Sequence, residues 1–226
     1  IFVGESEEIS VLLRDNVYNS LRSDILMCRF LPGDDMREQE LAERYAVSRQ
    51  PVREALLRLE REHLVTVQPR QGYRVNPISI SDARDLLRFR YAVEPACVSE
   101  AIEHASDNIL RGLDQYRSFD GSAEDFIDYN RAFHIALAQA SGNRRMASAA
   151  RDLIEQADRL VRISIANVKG RDHMQLVGEH VSLIDAMQRR DQRGAARIIK
   201  AHIEKTEKRV LPALARNAII VEGRDL

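Results

Sequence analysis

Asn130 and His134 stand four residues apart, so on a helix they share one face, with roughly 5–6 Å between their Cβ atoms. His180 and His202 fall in two later stretches, each inside an apolar stripe. Val177, His180, Ile184 and Met187 form one stripe, and Ile198, Ile199, His202 and Ile203 the other. Histidines pointing inward from three different helices could converge in the core of a bundle, a common place for metal sites. A single His on an apolar face is more often a packed, hydrogen-bonded residue than a ligand, so the case rests on the set. His104 and His173 show no such pattern and read as surface or helix-end residues.

A second group of chemically able side chains gathers at the start of another helix: Ser48, Arg49, Gln50 and Arg53. All four can reach phosphates or base edges. An Arg presents a planar fork that pairs bidentately with guanine, and a Gln can pair with adenine.

The elements that must position this second group are legible around it. Residues 38–58, EQELAERYAVSRQPVREALLR, read as two short helices joined by a tight turn at Ala46-Val47-Ser48. Leu41, Ala42 and Tyr45 give the first an apolar side, and Val52, Ala55, Leu56 and Leu59 the second. Ser48 is expected at the N-cap with its hydroxyl accepting a free backbone N–H, and Pro51 falls in the first turn, where its missing donor costs nothing. This is the layout of a helix-turn-helix, whose second helix enters the DNA major groove. Residues 10–30 place Leu13, Val17, Leu21, Ile25 and Cys28 on one stripe, a helix packing under the motif and ended by the turn Leu31-Pro32-Gly33-Asp34. Leu64 to Val67 and Tyr73 to Val75 flank a Pro/Gly turn and read as a hairpin. A hairpin directly after a helix-turn-helix is a wing, with Arg70 near its tip, where it could touch the backbone or minor groove of the DNA, and Gly72 is expected among the DNA contacts beside it.

Beyond a short linker at 77–79 the pattern is helical almost to the end. Helices are expected at 80–105, 108–119, 122–140, 143–168, 173–190 and 192–216. Gly, Asp and Ser mark most of the breaks, including 169–171, and Pro95 lies inside the first helix rather than ending it. The fold class is mainly α: a winged helix-turn-helix domain over 1–76 and an all-α bundle of about six helices over 80–226.

Composition narrows the classes of function. At 44% hydrophobic and 31% charged, the 226 residues suit a globular chain with a sizeable core and exclude wholesale disorder. No run approaches the roughly 20 apolar residues of a membrane span. Cys28 and Cys97, both inside helical patterns, fit a reducing cytoplasm rather than a disulfide scaffold. The net charge of −1 hides an asymmetry. Residues 1–43 hold ten Asp or Glu against four Arg, whereas 44–74 hold seven Arg against three Glu, so the basic patch coincides with the helix-turn-helix.

Residues 10–75 resemble the winged-helix domain of the GntR family of bacterial transcription regulators. The matching pieces are Leu31-Pro32-Gly33, Glu40-Leu41-Ala42, Val47-Ser48-Arg49, Pro51-Val52-Arg53-Glu54-Ala55-Leu56, Leu59-Glu60 and Gly72-Tyr73-Arg74-Val75. The chain departs from that family at Gln39, where an Arg is frequent, at Gln50, where Thr is common, and at His63, where Gly usually ends the helix. Residues 80–216 resemble the FCD effector domain of the FadR branch. The matches are Arg90-Tyr91-Ala92-Val93-Glu94, Asn130 with His134, Ala140-Ser141-Gly142-Asn143, Glu179-His180 and Ala201-His202.

The resemblance implies a DNA-binding regulator, most often a repressor, acting as a cytoplasmic homodimer on an imperfectly palindromic double-stranded operator. It implies base or phosphate contacts from Arg49 and Arg53, with Gln39, Ser48 and Gln50 beside them. It implies a divalent metal, zinc or nickel by the donor set, held by Asn130, His134, His180 and His202. A small organic acid is expected to complete the coordination, its other end held by Arg90 or Arg162. The alternative is a metal-dependent hydrolase in which the histidines activate water; a third reading makes the metal purely structural and has the domain sense a partner protein.

Overall fold

The computed structural model describes residues 3–165 and 173–215, with side chains from Asp15 onward except at 123, 124, 164, 165 and 173. The place of Leu13 on its stripe, the helix end expected at 168, the break at 169–171, the setting of His173 and the last residues from 216 lie outside the described residues. The chain divides into two compact units, Ile1–Ile78 and Ser79–Leu226.

The first unit is built on helix α1 (Val3–Leu26), which lays Val17, Leu21 and Ile25 against helix α3 (Arg49–Arg61). Val52, Ala55, Leu56 and Leu59 of α3 are buried in that contact, as their helical spacing requires. Helix α2 (Glu38–Arg44) adds Leu41 and Ala42 to the same core. Strands β2 (Val65–Gln68) and β3 (Gly72–Val75) form the expected wing. A third strand, β1 (Asp35–Met36), is not legible in the sequence and pairs antiparallel with β3, giving the order β1-β3-β2. Two residues are too few to show an alternation.

Several local expectations are corrected. Cys28 lies past the end of α1 rather than on its stripe, with φ of 57°. The N–H of Arg29 bonds back to Asp24 and that of Cys28 to Ile25, a Schellman closure that stops the helix two residues earlier. Ser48 is the N-cap of α3, yet its side chain makes no capping bond. Pro51, at the third helical position, has no N–H to give, so the usual donor for that hydroxyl is missing.

The second unit is a bundle whose described residues form helices α4 (Ile80–His104), α5 (Asp107–Arg111), α6 (Ala123–Ala140), α7 (Arg144–Ile165), α8 (His173–Gln188) and α9 (Gln192–Leu214). Ser79, Ser106, Ser122 and Asp191 cap the starts of α4, α5, α6 and α9, with Ser122 and Asp125 closing a capping box. The helix expected at 108–119 is instead the short α5 followed by a 3-10 turn over Gly112–Tyr116. Gly112 contributes no side chain to hold a regular helix together there. Pro95 sits within α4, which continues through it. Val98, Ile102, Phe133, Leu137, Ile184, Met187, Ile199 and Ile203 fill the main core, so α4, α6, α8 and α9 surround one another.

Candidate metal centre and DNA-reading face

The bundle brings His134 from α6, His180 from α8 and His202 from α9 together, one ring nitrogen of each lying within 4.8 Å of the others. All three are buried. Each is held by its Nδ1. His134 Nδ1 lies 2.7 Å from Glu94 Oε2, and His202 Nδ1 lies 2.8 Å from Glu179 Oε2. Carboxylates accept, so both rings donate Nδ1–H. The third case follows from Tyr129, whose hydroxyl donates its one proton to the Tyr116 carbonyl at 2.5 Å. Tyr129 oxygen, 3.3 Å from His180 Nδ1, therefore accepts, and His180 is also an Nδ1–H donor. Phe133 stacks on the His180 ring at 4.0 Å and fixes its plane.

In a neutral imidazole of that tautomer the lone pair sits on Nε2. His134 and His202 Nε2 face each other at 3.2 Å, and His180 Nε2 is buried with no hydrogen-bond partner. Two nitrogens bound to one ion at about 2.1 Å, with an angle near 100°, would lie about 3.2 Å apart. The donor set and its spacing therefore fit a transition metal. Burial pushes the His180 imidazolium far down and that of His202 to about 4, which keeps these lone pairs available near neutral pH. Burial alone would push Glu94 up, but Arg90 and His134 hold it well below the carboxylate range. Glu179 is held at about 2, chiefly by the bond from His202.

Asn130, one turn before His134, lines a small cavity of about 20 Å³ together with His202, Arg90, Asp158, Thr206 and Arg209. Arg90 is buried and bonds Glu94 through Nε at 2.5 Å, so it braces the carboxylate that braces His134. Arg162 is turned elsewhere: its Nη2 pairs with Asp128 at 2.6 Å, and Val161 forms the cavity wall at that level. Arg209 lines the cavity, its Nε bonded to the Lys205 carbonyl and its Nη2 to Thr206 Oγ1. Asp158 accepts from Arg131 at 3.1 Å, and burial pushes its carboxyl up to about 6.

Glu94, Tyr129, Asp158, Glu179, Thr206 and Arg209 were not anticipated as site residues. Two carried a signal. Glu94 stands at i+4 from Arg90, and Asp158 interrupts the apolar series Ala150, Ile154 on α7. His104 is exposed beside Glu100, as expected.

In the first unit, Ser48, Arg49, Gln50 and Arg53 are not buried, at the head of α3. Arg53 forms a forked pair with Glu38, Nε at 2.9 Å and Nη2 at 2.8 Å. Arg49 Nη2 donates to Gln39 at 2.8 Å, and Gln50 donates to Glu54 at 2.8 Å. Arg70 is exposed at the wing tip with φ of 67°, at the third position of a turn closed by Gln71 N–H to the Gln68 carbonyl. Gly72 has a packing role: at φ of 111°, a Cβ there would meet the Met36 carbonyl oxygen at 2.5 Å.

Comparison with known proteins bears on both halves. Residues 13–75 match the family described as bacterial regulatory proteins, gntR family, and residues 85–205 match the FCD domain. The HTH-type transcriptional repressor RspR of Escherichia coli (strain K12) is 28% identical over 204 residues, covering 88% of this chain and 89% of the relative. The HTH-type transcriptional repressor GlaR of the same organism is 27% identical over 200 residues, covering 82% and 90%. The structure of E. coli McbR/YncC is similar in fold, with a TM-score of 0.79 at 23% identity, covering 90% of this chain and 99% of that one.

Proposed function

This chain belongs to the gntR family of bacterial regulatory proteins, with an FCD domain as its second part, and on that premise we propose a repressor whose grip on DNA is set by a small organic acid bound at a metal in the bundle. That it is a DNA-binding transcription regulator and not an enzyme follows from the family. The hydrolase alternative falls with it.

The observation that carries the metal reading is the set of three Nδ1–H tautomers, which leaves the His180 Nε2 buried without a partner beside the facing Nε2 atoms of His134 and His202. His134, His180 and His202 would hold the ion, with Asn130 as a neutral fourth donor; zinc or nickel suits such a set. The ion would supply a positive centre for a carboxylate. This chain's own residues bind the rest of the acid: Arg90, and Arg209 in preference to Arg162, face the cavity as cations. Binding would favour a conformation that releases the operator, a shift of population between two states of a cytoplasmic homodimer.

The test is elemental analysis of protein purified without added metal, followed by a thermal-shift screen of small organic acids with and without a chelator. One equivalent of metal and chelator-sensitive stabilisation by an acid are expected. H134A retaining full metal content would refute the site.

A further inference from the structure

The arginines that head the recognition helix are held by the helix before it. We infer that Glu38 and Gln39 are positioning residues that aim Arg53 and Arg49 at the DNA, an inference that rests on those arginines being the DNA contacts. A guanidinium has two forked edges, one formed by Nε and Nη2 and the other by Nη1 and Nη2. Glu38 takes the first edge of Arg53, Oε1 from Nε and Oε2 from Nη2. That leaves the end fork, the one that pairs bidentately with guanine O6 and N7, facing away from the carboxylate. Gln39 does the same work more weakly. Its Oε1 accepts from Arg49 Nη2 at 2.8 Å while its amide nitrogen donates to Glu43 at 3.3 Å, which sets which way the amide points.

Folding stability accounts for the pair only in part: the Arg53 side chain is 55% exposed and that of Glu38 21%, and even a forked surface pair contributes modestly to folding. Affinity for a polyanion does not explain it, because a carboxylate at the reading head repels phosphate. A long, flexible side chain pays entropy when it is fixed on a base edge, and holding it in place beforehand removes part of that cost. Glu38 is the first residue of α2, whose Leu41 and Ala42 share a core with α3, so its carboxylate is anchored on a packed element beside Arg53.

The two explanations predict opposite signs, which makes the test decisive. Selection from a random DNA library with the full chain first yields the operator. Specific and non-specific affinities are then measured by gel shift for the wild type, E38A, E38Q and R53A, with circular dichroism to confirm folding. If Glu38 positions Arg53, E38A loses on the order of tenfold in the ratio of specific to non-specific affinity. Its non-specific affinity is unchanged or higher, because a negative charge has gone, and repeated selection with E38A shows one relaxed base position per half-site. E38Q, which keeps one acceptor oxygen, falls between. A parallel rise of specific and non-specific affinity in E38A, or an unchanged ratio, would overturn the inference. Wild-type operator affinity in R53A would instead overturn the assignment of Arg53 beneath it.

Discussion

His134 and His202 present their Nε2 atoms to each other at 3.2 Å, although each donates its Nδ1–H to a carboxylate, Glu94 and Glu179 respectively. Two lone pairs at that distance repel unless something positive lies between them or a proton is shared. A bound cation would relieve that repulsion. Chelation is expected to lower the melting temperature of the protein by several degrees, by loss of a ligand bound only to the folded state, and added zinc to restore it. H202A and H180A should each abolish that response in a thermal-shift assay. A response that persists in both variants would place the metal elsewhere.

Asp158 makes a pH prediction with a definite sign. Burial raises its carboxyl from an ordinary 3.8 to about 6, against the pull of Arg131, Arg90 and Arg162. The folded state thus binds a proton more tightly than the unfolded one, and the cost of the charged form is fully present above pH 6 and disappears as pH falls toward 4. The difference corresponds to about 2–3 kcal/mol. D158N cannot titrate, so any stability advantage it has over the wild type at pH 7.5 should shrink steadily by pH 5. Denaturant melts at both pH values measure it. An advantage that grows on acidification would contradict the assignment.

His63 and Ala46 end α3 and α2 in the left-handed region, at φ of 56° and 53°, each closing a Schellman motif. A side chain there costs about 1–2 kcal/mol that glycine does not incur. H63G and A46G should each stabilise the first unit by about 1 kcal/mol, read as a higher denaturation midpoint at unchanged slope. A lower midpoint in either would show that the side chain makes a compensating contact.

Gly72 is the reverse case. A Cβ would stand 2.5 Å from the Met36 carbonyl oxygen, at a φ of 111° that L side chains rarely adopt. G72A should separate β1 from β3 and destabilise the unit by about 2 kcal/mol or more. Because the wing is displaced with it, operator affinity should fall as well, checked by gel shift alongside thermal unfolding. G72A with wild-type stability would mean that β1 can shift freely.

Much of this molecule was determined locally. The stripes Val52, Ala55, Leu56, Leu59 and Val177, His180, Ile184, Met187 announce helices and the faces they bury, because a period of 3.6 residues is enforced by backbone geometry wherever one side meets a core. Serines before α4, α5 and α6 fix where those helices begin. The family motifs carried the winged helix, the bundle and the identity of the three histidines.

Tertiary structure alone decided what each side chain meets. Strand β1 exists because β3 pairs with it, Arg162 turns to Asp128 while Arg209 faces the cavity, and Glu38 finds Arg53 fifteen residues along the chain. These are contacts between elements, set by how helices pack and by which charges they leave facing. Residue spacing within one helix contains no information about them. The same holds for chemistry at the histidines: their types were plain in the sequence, but the partners of Nδ1, which leave the three Nε2 lone pairs unclaimed, come from α4, α6 and α8 packed together.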